Sequence, residues 1–213
     1  MKSKTLAVQI RAYRTLIDNS LNHNGIRTAL TDFGYPLQNI DKGKALFEKF
    51  MLLHGLQSDQ YGAKLNATDT VLSDLQLLKT TYQEHRTLAR LAFNEDRGLQ
   101  NSLKLNTRTP KERAAFVDQV ANFYNKIIQH QAGLKRYGVS KAELEQAQAM
   151  VNALIQSQQQ QSQKTGEAQS ATQQRNQALK DLQRWIKGYK AILQAALEDD
   201  PQLLEIVGIL VKA

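Results

Sequence analysis

The sequence predicts an all-α protein built by tandem duplication of an antiparallel up-and-down helical bundle, with three long helices and one short helix in each copy. Only three prolines and eleven glycines occur in 213 residues, which favours long helices. Apolar residues recur at helical spacing, and the residues that start and stop helices recur after 104 positions. We therefore predict two domains, copy 1 at 1–104 and copy 2 at 105–213.

The repeat is visible when residues 33–105 are laid over 137–209 without a gap. Twelve positions are identical, and they include the residues that punctuate helices. We interpret this register as the trace of a duplication. The identical pairs are Gly34/Gly138, Ala45/Ala149, Gln57/Gln161, Ser58/Ser162, Gly62/Gly166, Ala67/Ala171, Thr68/Thr172, Leu75/Leu179, Leu78/Leu182, Ala92/Ala196, Asp96/Asp200 and Leu99/Leu203.

The first helix of each copy is predicted to end at Gly34 or Gly138, since glycine readily takes the positive φ that turns a chain out of a helix. The second helix then begins at Pro36 in copy 1. In copy 2 it begins with Ser140 and Glu143, whose spacing is that of a capping box.

The second helix is predicted to end at Gly62 or Gly166, and the third to begin at 66–69 (NATD) or 170–173 (SATQ). The third helix has one apolar stripe with three- and four-residue spacing. The stripe consists of Leu75, Leu78, Tyr82, His85, Ala89 and Ala92 in copy 1, and of Leu179, Leu182, Ile186, Tyr189, Leu193 and Ala196 in copy 2.

A short fourth helix is predicted after Asp96 in copy 1 and after Asp200 in copy 2. The segment 105–110 joins the copies. In it, Thr109 and Glu112 have capping-box spacing with proline at the first helical position, so copy 2 is predicted to start there.

Several function classes lack their sequence signals. Without cysteine the chain forms no disulfide, thiol nucleophile, iron–sulfur ligand set or cysteine zinc site. It also lacks a glycine-rich phosphate loop, a G-x-S-x-G elbow, a His-Glu-x-x-His motif and an EF-hand loop. We therefore expect no cofactor and a non-enzymatic structural or protein-interaction module, whose partner is another protein or a second copy of the chain.

The N-terminal segment MKSKTLAVQIRAYRTL does not resemble a secretory signal, because Gln9, Arg11 and Arg14 interrupt its apolar run. We expect a cytoplasmic protein. The longest apolar stretch, 203–211, is shorter than the roughly 20 residues that span a bilayer, and it contains Glu205. No membrane span is predicted.

The net charge of +8 suggests nucleic-acid binding as an alternative function. The charge is spread, because each half carries 14 basic and 10 acidic residues. Lys180, Arg184 and Lys187 form one stripe on the third helix of copy 2, which could contact an acidic partner or a phosphate backbone. We favour a solvated charged face, because no aromatic side chains for base stacking are interleaved.

A metal-binding or small-ligand bundle is a further alternative. His23 and His85 correspond to Ile127 and Tyr189 in copy 2, so we expect both histidines to face the core. They could form a metal site or a pH-sensitive pair, but satisfied histidines in a polar layer are the commoner case.

The C-terminal segment PQLLEIVGILVKA is apolar nearly all round. It either docks between the two bundles or forms a dimer contact, and we favour docking. Trp185 either packs beside the core stripe or lies half-exposed at a seam between the bundles.

Overall fold

The chain is all-α, as predicted. The computed structural model describes residues 5–210, and no strand occurs within them. The helices are α1 (Leu6–Asn22), α2 (Asn24–Asp32), α3 (Gln38–Ala92), α4 (Arg97–Ser102), α5 (Arg113–Ile127), a 3₁₀ turn (Ile128–His130), α6 (Gln131–Lys135), α7 (Lys141–Ala196) and α8 (Gln202–Ile206).

Two of these helices are much longer than predicted. α3 has 55 residues and α7 has 56, so each replaces two predicted helices. The predicted stops at Gly62 and Gly166 are wrong, since both glycines lie inside a helix without a positive φ. The predicted starts at Asn66 and Ser170 are also wrong. The prediction of three long helices in each copy therefore fails.

The reason is an inward face that keeps helical spacing across the glycines, although its positions near them are polar, such as Gln57 and Thr68. From Ile40 to Ala92 the inward positions of α3 alternate steps of three and four residues, and the same pattern runs from Leu144 to Ala196 in α7. A single glycine costs a helix only about 1 kcal/mol relative to alanine. The helical turns on either side of each glycine pack their inward face against other helices, and this packing outweighs the cost of the glycine.

The turns that precede the long helices are confirmed. Gly34 has a φ of 82° and Gly138 a φ of 83°, the left-handed region expected at a helix stop. At the start of α7, Glu143 N donates to Ser140 Oγ at 3.2 Å, and Ser140 N donates to Glu143 Oε2 at 2.6 Å. These two bonds are the predicted capping box.

The short helix after Asp96 is confirmed as α4, and Leu99 N donates to Asp96 Oδ1 at 2.8 Å. The predicted capping box at 109–112 is wrong. α5 begins at Arg113, and Glu112 itself caps it by accepting from the N–H groups of Ala114 and Ala115. These bonds lower the pKa of the Glu112 carboxyl.

The contacts divide the chain into two compact units. Unit 1 combines the residues up to Gln60 with those from Glu167 onward, and unit 2 is Tyr61–Gly166. The predicted boundary at 104/105 lies inside unit 2. The division into 1–104 and 105–213 therefore stays a prediction about the repeat, and the compact units follow another division.

Each unit has its own hydrophobic core. The core of unit 1 comes from α1, α2, the first part of α3, the last part of α7 and the segment from α8 onward; its largest fully buried members include Tyr189, Phe50 and Leu16. The core of unit 2 comes from the last part of α3, the α4–α5 connection, α5, α6 and the first part of α7, around Tyr82, Phe123 and Tyr124.

Within residues 5–210, no helix combines the length and the apolar character that crossing a membrane requires.

Candidate interaction surfaces

His85 lies in the core of unit 2, as expected for a core-facing position. It is on α3 and is only 9% exposed, and its Nδ1 lies 3.1 Å from the hydroxyl of Tyr124 on α5. Burial lowers the pKa of His85, and the nearby carboxylates of Glu143 and Glu84 partly oppose that shift. The imidazole is therefore favoured in its neutral form, with a hydrogen-bond partner.

The positions 104 residues away from this pair also meet, in unit 1. Burial raises the pKa of Tyr189 to about 12, and the neighbouring hydroxyl of Ser20 lowers it in part. Ser20 Oγ donates to Leu16 O at 2.7 Å, and Tyr189 Oη has no hydrogen-bond partner. Both cores thus contain a contact between polar side chains at the same register.

His23 is half-buried in unit 1, at the joint between α1 and α2. Its extended backbone ends α1, and its Nδ1 accepts from Ile26 N at 3.4 Å at the start of α2. The two candidate histidines therefore belong to different units, and each has its own partner. Within residues 5–210, no group of three or more His, Asp or Glu side chains is arranged to hold a metal ion.

Arg86 organises the connection between α4 and α5, a role that sequence reasoning missed. It is 7% exposed and donates to Thr109 Oγ1 at 2.7 Å, to Lys104 O at 3.1 Å and to Leu105 O at 2.9 Å. It also donates to Thr107 O. A basic residue one position after a core residue is usually solvated, so the local sequence carries no signal of this burial.

The predicted basic stripe lies on the surface of α7 in unit 1. Lys180, Arg184 and Lys187 are all exposed. Arg184 Nη1 lies 3.3 Å from Asp181 Oδ1, so part of its charge is balanced within the helix. An exposed pair of this kind contributes little to stability, and the stripe remains open to an acidic partner.

Trp185 packs beside the core of unit 1, the first of the two predicted alternatives. Its ring stacks on Tyr189 with centroids 4.7 Å apart and an interplanar angle of 22°. The ring covers Gly43 of α3 so closely that a Cβ at that glycine would lie under 3.0 Å from three ring carbons. The indole is therefore a packing residue between α3 and α7.

The C-terminal segment docks, but onto the core of unit 1. Leu204 and Val207 are buried, and the Asn19 side chain donates to Ile206 O at 2.6 Å. Leu210 is 92% exposed. The last part of the predicted apolar segment, 211–213, lies outside the described residues.

Unit 2 carries an exposed row of large apolar side chains. Tyr61, Leu65 and Leu72 lie on one face of α3, and each is about half exposed; Ile155 of α7 is 37% exposed. In this unit α3 and α7 run antiparallel, because Gln161 donates to Thr68 at 3.1 Å while Glu143 lies near His85. That register puts Ile155 level with Leu72. We name the three residues of α3, Tyr61, Leu65 and Leu72, the apolar row.

An open groove in unit 1 lies between α1 and α3. Ile17, Phe47 and Met51 form its floor, and Arg14 lies over the Phe47 ring with its guanidinium carbon 5.6 Å from the centroid. Asp18, Lys44 and Glu48 complete its exposed rim. The groove offers an apolar floor to a small ligand, but its charged groups face solvent.

No protein family model matches this chain, and no curated protein or solved structure matches it either.

Proposed function

We propose that this protein is a non-enzymatic helical module that binds another protein, and that the apolar row of unit 2 is the contact surface. The observation that carries the proposal is a difference between equivalent positions. Leu65 and Leu72 correspond to Gln169 and Asn176 in unit 1, which are also exposed. The helix pair of unit 1 accepts polar residues at these positions, and we attribute the exposed leucines of unit 2 to binding.

The chemistry of the row favours an amphipathic helix as its partner. An apolar helix face fits beside two antiparallel helices as a third member. Unit 2 carries 14 basic and 9 acidic residues, and Lys79 follows Leu72 by two helical turns. Lys64 lies over the ring of Tyr61, 5.7 Å from its centroid. The exposed Asp69 lies between Leu65 and Leu72, so the row is flanked by charges of both signs, and a partner helix would need to carry both.

The experiment is capture of partners from a lysate of the source organism with three versions of the full chain. One is the unaltered chain, and the second is L65Q/L72N, which copies Gln169 and Asn176 into unit 2. The third, K180Q/R184Q/K187Q, neutralises the basic stripe. We expect a protein that binds the first and third versions and is lost from the second. A captured protein that L65Q/L72N retains in full contradicts the proposed surface.

Nucleic-acid binding through Lys180, Arg184 and Lys187 is the second candidate. It is supported by the exposure of all three side chains. Binding of mixed DNA or RNA at low salt that weakens in K180Q/R184Q/K187Q and falls steeply with added salt would favour it, because phosphate contacts release counterions. The same preparations of the chain serve both tests.

We further propose that the chain arose by tandem duplication of a 104-residue element, with bundle-like packing of helices in each unit. The order of elements supports this: a bent or broken helix, a left-handed glycine turn, a long helix and a short helix occur twice. A shift of 104 residues carries Gln38–Ala92 onto 142–196, within one residue of the bounds of α7. A duplicated rigid element suits a module that presents surfaces to partners.

A further inference from the structure

Two glycines of the chain lie directly against an aromatic ring, with no room for a Cβ. At Gly43 a Cβ would lie under 3.0 Å from three carbons of Trp185, in unit 1. At Gly133 a Cβ would lie under 3.0 Å from two carbons of Phe93, in unit 2. Trp185 also stacks on Tyr189, and Phe93 makes an edge-on contact with the ring of His130.

Each of these contacts joins one half of the sequence to the other. Gly43 and Phe93 lie in 1–104, whereas Trp185 and Gly133 lie in 105–213. This follows from the composition of the units, since each unit takes helices from both halves. The two halves of the sequence are therefore packed against each other in both cores.

The positions 104 residues away from each contact hold residues of a different size. Gly43 corresponds to Ala147 and Trp185 to Thr81, while Gly133 corresponds to Ala29 and Phe93 to Leu197. In a complex of two N-terminal halves, Phe93 would meet the Cβ of Ala29. In a complex of two C-terminal halves, Trp185 would meet the Cβ of Ala147. Each like pairing thus contains a steric clash.

Each like pairing also contains a cavity. Two N-terminal halves would set Thr81 against Gly43, and two C-terminal halves would set Leu197 against Gly133. A third pair acts in the same direction: the buried, hydrogen-bonded His85 and Tyr124 correspond to Tyr189 and Ser20, which are buried in the core of unit 1. Two C-terminal halves would therefore bring two tyrosines together.

We propose that these three contacts are specificity determinants that make 1–104 and 105–213 partners of each other and reject a like half. The proposal rests on the repeat proposed above, since it compares equivalent positions. The shared register comes from residues that both copies keep, such as the hydrogen-bonded Thr68 and Gln161, which correspond to Thr172 and Gln57. Differences in side-chain size then select the opposite half.

The test uses the full chain with a protease recognition sequence inserted after the exposed Arg108. The folded protein is cut, mixed with an isotope-labelled cut sample, unfolded in urea and refolded by dilution. Native mass spectrometry then counts the complexes. We expect every complex to contain one N-terminal and one C-terminal half. Complexes of two like halves in the unaltered protein would overturn the proposal.

A matched variant tests the three contacts themselves. G43A/W185T, F93L/G133A and H85Y/Y124S each turn one contact into the residue pair that the protein already has at the equivalent position. A chain with all six substitutions should refold and form like complexes that approach half of the total, the statistical share. If it folds and still forms only mixed complexes, the determinants lie elsewhere and the proposal is wrong.

The three variants with one converted contact each keep the test decisive if the chain with six substitutions does not fold. Each should form a measurable fraction of like complexes, larger than the zero expected for the unaltered protein and smaller than that of the chain with six substitutions. Persistence of mixed complexes alone in all three would overturn the proposal. Loss of partner capture by L65Q/L72N is measured separately, so failure of the proposed function would leave this result unaffected.

Discussion

Lys104 is the one non-glycine residue with a positive φ in the part of the chain that the structure describes. Its φ is 53°, and it ends α4 in the way that Gly208, with a φ of 76°, ends α8. The two positions are 104 residues apart. A residue with a Cβ is less stable than glycine in this conformation by about 1 kcal/mol.

Replacing Lys104 with glycine should therefore raise the free energy of unfolding by about 0.5 to 1 kcal/mol, because the backbone strain is relieved. Urea unfolding of the full chain measures the change. Lys104→Ala is the control, since it removes the charge and keeps the Cβ. An equal gain in the alanine variant would assign the effect to the lysine charge.

His85 should make the stability of unit 2 depend on pH. Its pKa is lowered in the folded protein from an ordinary value of 6.5, so the unfolded chain binds the proton more readily. The stabilisation by neutral His85 is full above that ordinary value and is lost as the pH falls through the folded pKa. Each pH unit in this window costs at most about 1.4 kcal/mol.

His85→Gln should remove this part of the pH dependence, because glutamine keeps a polar group and has no proton to gain. Unfolding by urea between pH 5 and pH 8 measures the slope. Tyr124→Phe removes the hydroxyl beside the imidazole and keeps the titrating group, so its slope should persist. A slope in His85→Gln equal to that of the unaltered protein would exclude His85 as its source.

At the scale of helices, the length of α3 and α7 can be tested at their internal glycines. A Cβ at Gly62 or Gly166 meets nothing within 4 Å. Alanine at either position should stabilise the helix by about 0.5 to 1 kcal/mol, as expected for an exposed helix interior. Gly34→Ala should destabilise the protein, because its φ is 82°. Thermal unfolding of the three variants tests the continuous helix, and a loss of stability in Gly62→Ala would contradict it.

The connection between α4 and α5 depends on Arg86. Its side chain donates to four acceptors in residues 104–109. Arg86→Met should lower the free energy of unfolding by about 2 to 3 kcal/mol. The substitution removes the charge-assisted hydrogen bonds of the guanidinium and leaves buried carbonyls without their donor. Amide exchange in 103–109 should rise together with the loss of stability.

The exposed Arg90 provides the comparison for Arg86, since it also donates to Leu105 O, at 2.7 Å through its Nε. Arg90→Met should cost less than about 1 kcal/mol, because water can replace an exposed donor. Equal losses in the two variants would show that burial of Arg86 is not the source of its effect.

The helix ends were predictable where a residue acts through its own backbone or side chain. Gly34, Gly138 and the Ser140–Glu143 box are such cases, since each works within a few residues. Gly62 was misread because a glycine stop and a tolerated internal glycine look the same locally. The inward spacing from Ile40 to Ala92 is continuous in the structure, but the inward positions near Gly62 include the polar Gln57 and Thr68, so the apolar pattern alone did not reveal it.

The candidate site was less predictable than the helices. The solvent exposure of Lys180 follows from helical periodicity. The exposure of the apolar row does not follow from helical periodicity. Leu65 and Leu72 are two among many apolar residues of α3, and the packing of neighbouring helices decides which of them stay exposed. The burial of Arg86 likewise depends on a connection that lies 18 or more residues away in the sequence.

At the scale of the whole chain, the two cores share no residue. Trp185 is the only tryptophan and packs in unit 1, so its fluorescence reports unfolding of that core. The amides of α5 report unfolding of the other core, because Phe123 and Tyr124 belong to it. These two probes allow a change in one unit to be followed separately.

Deletion of 201–213 should weaken unit 1 selectively. It removes Leu204 and Val207 from that core and the acceptor of the Asn19 side chain, a loss of about 3 to 5 kcal/mol. The midpoint of the Trp185 fluorescence transition should move to a lower urea concentration. The rates of amide exchange in α5 should not change. Leu210→Ser, at a side chain that is 92% exposed, is the control and should change neither probe. If the Trp185 transition does not move after the deletion, the docked segment contributes little to the core. That result would favour a dimer contact as the role of the segment.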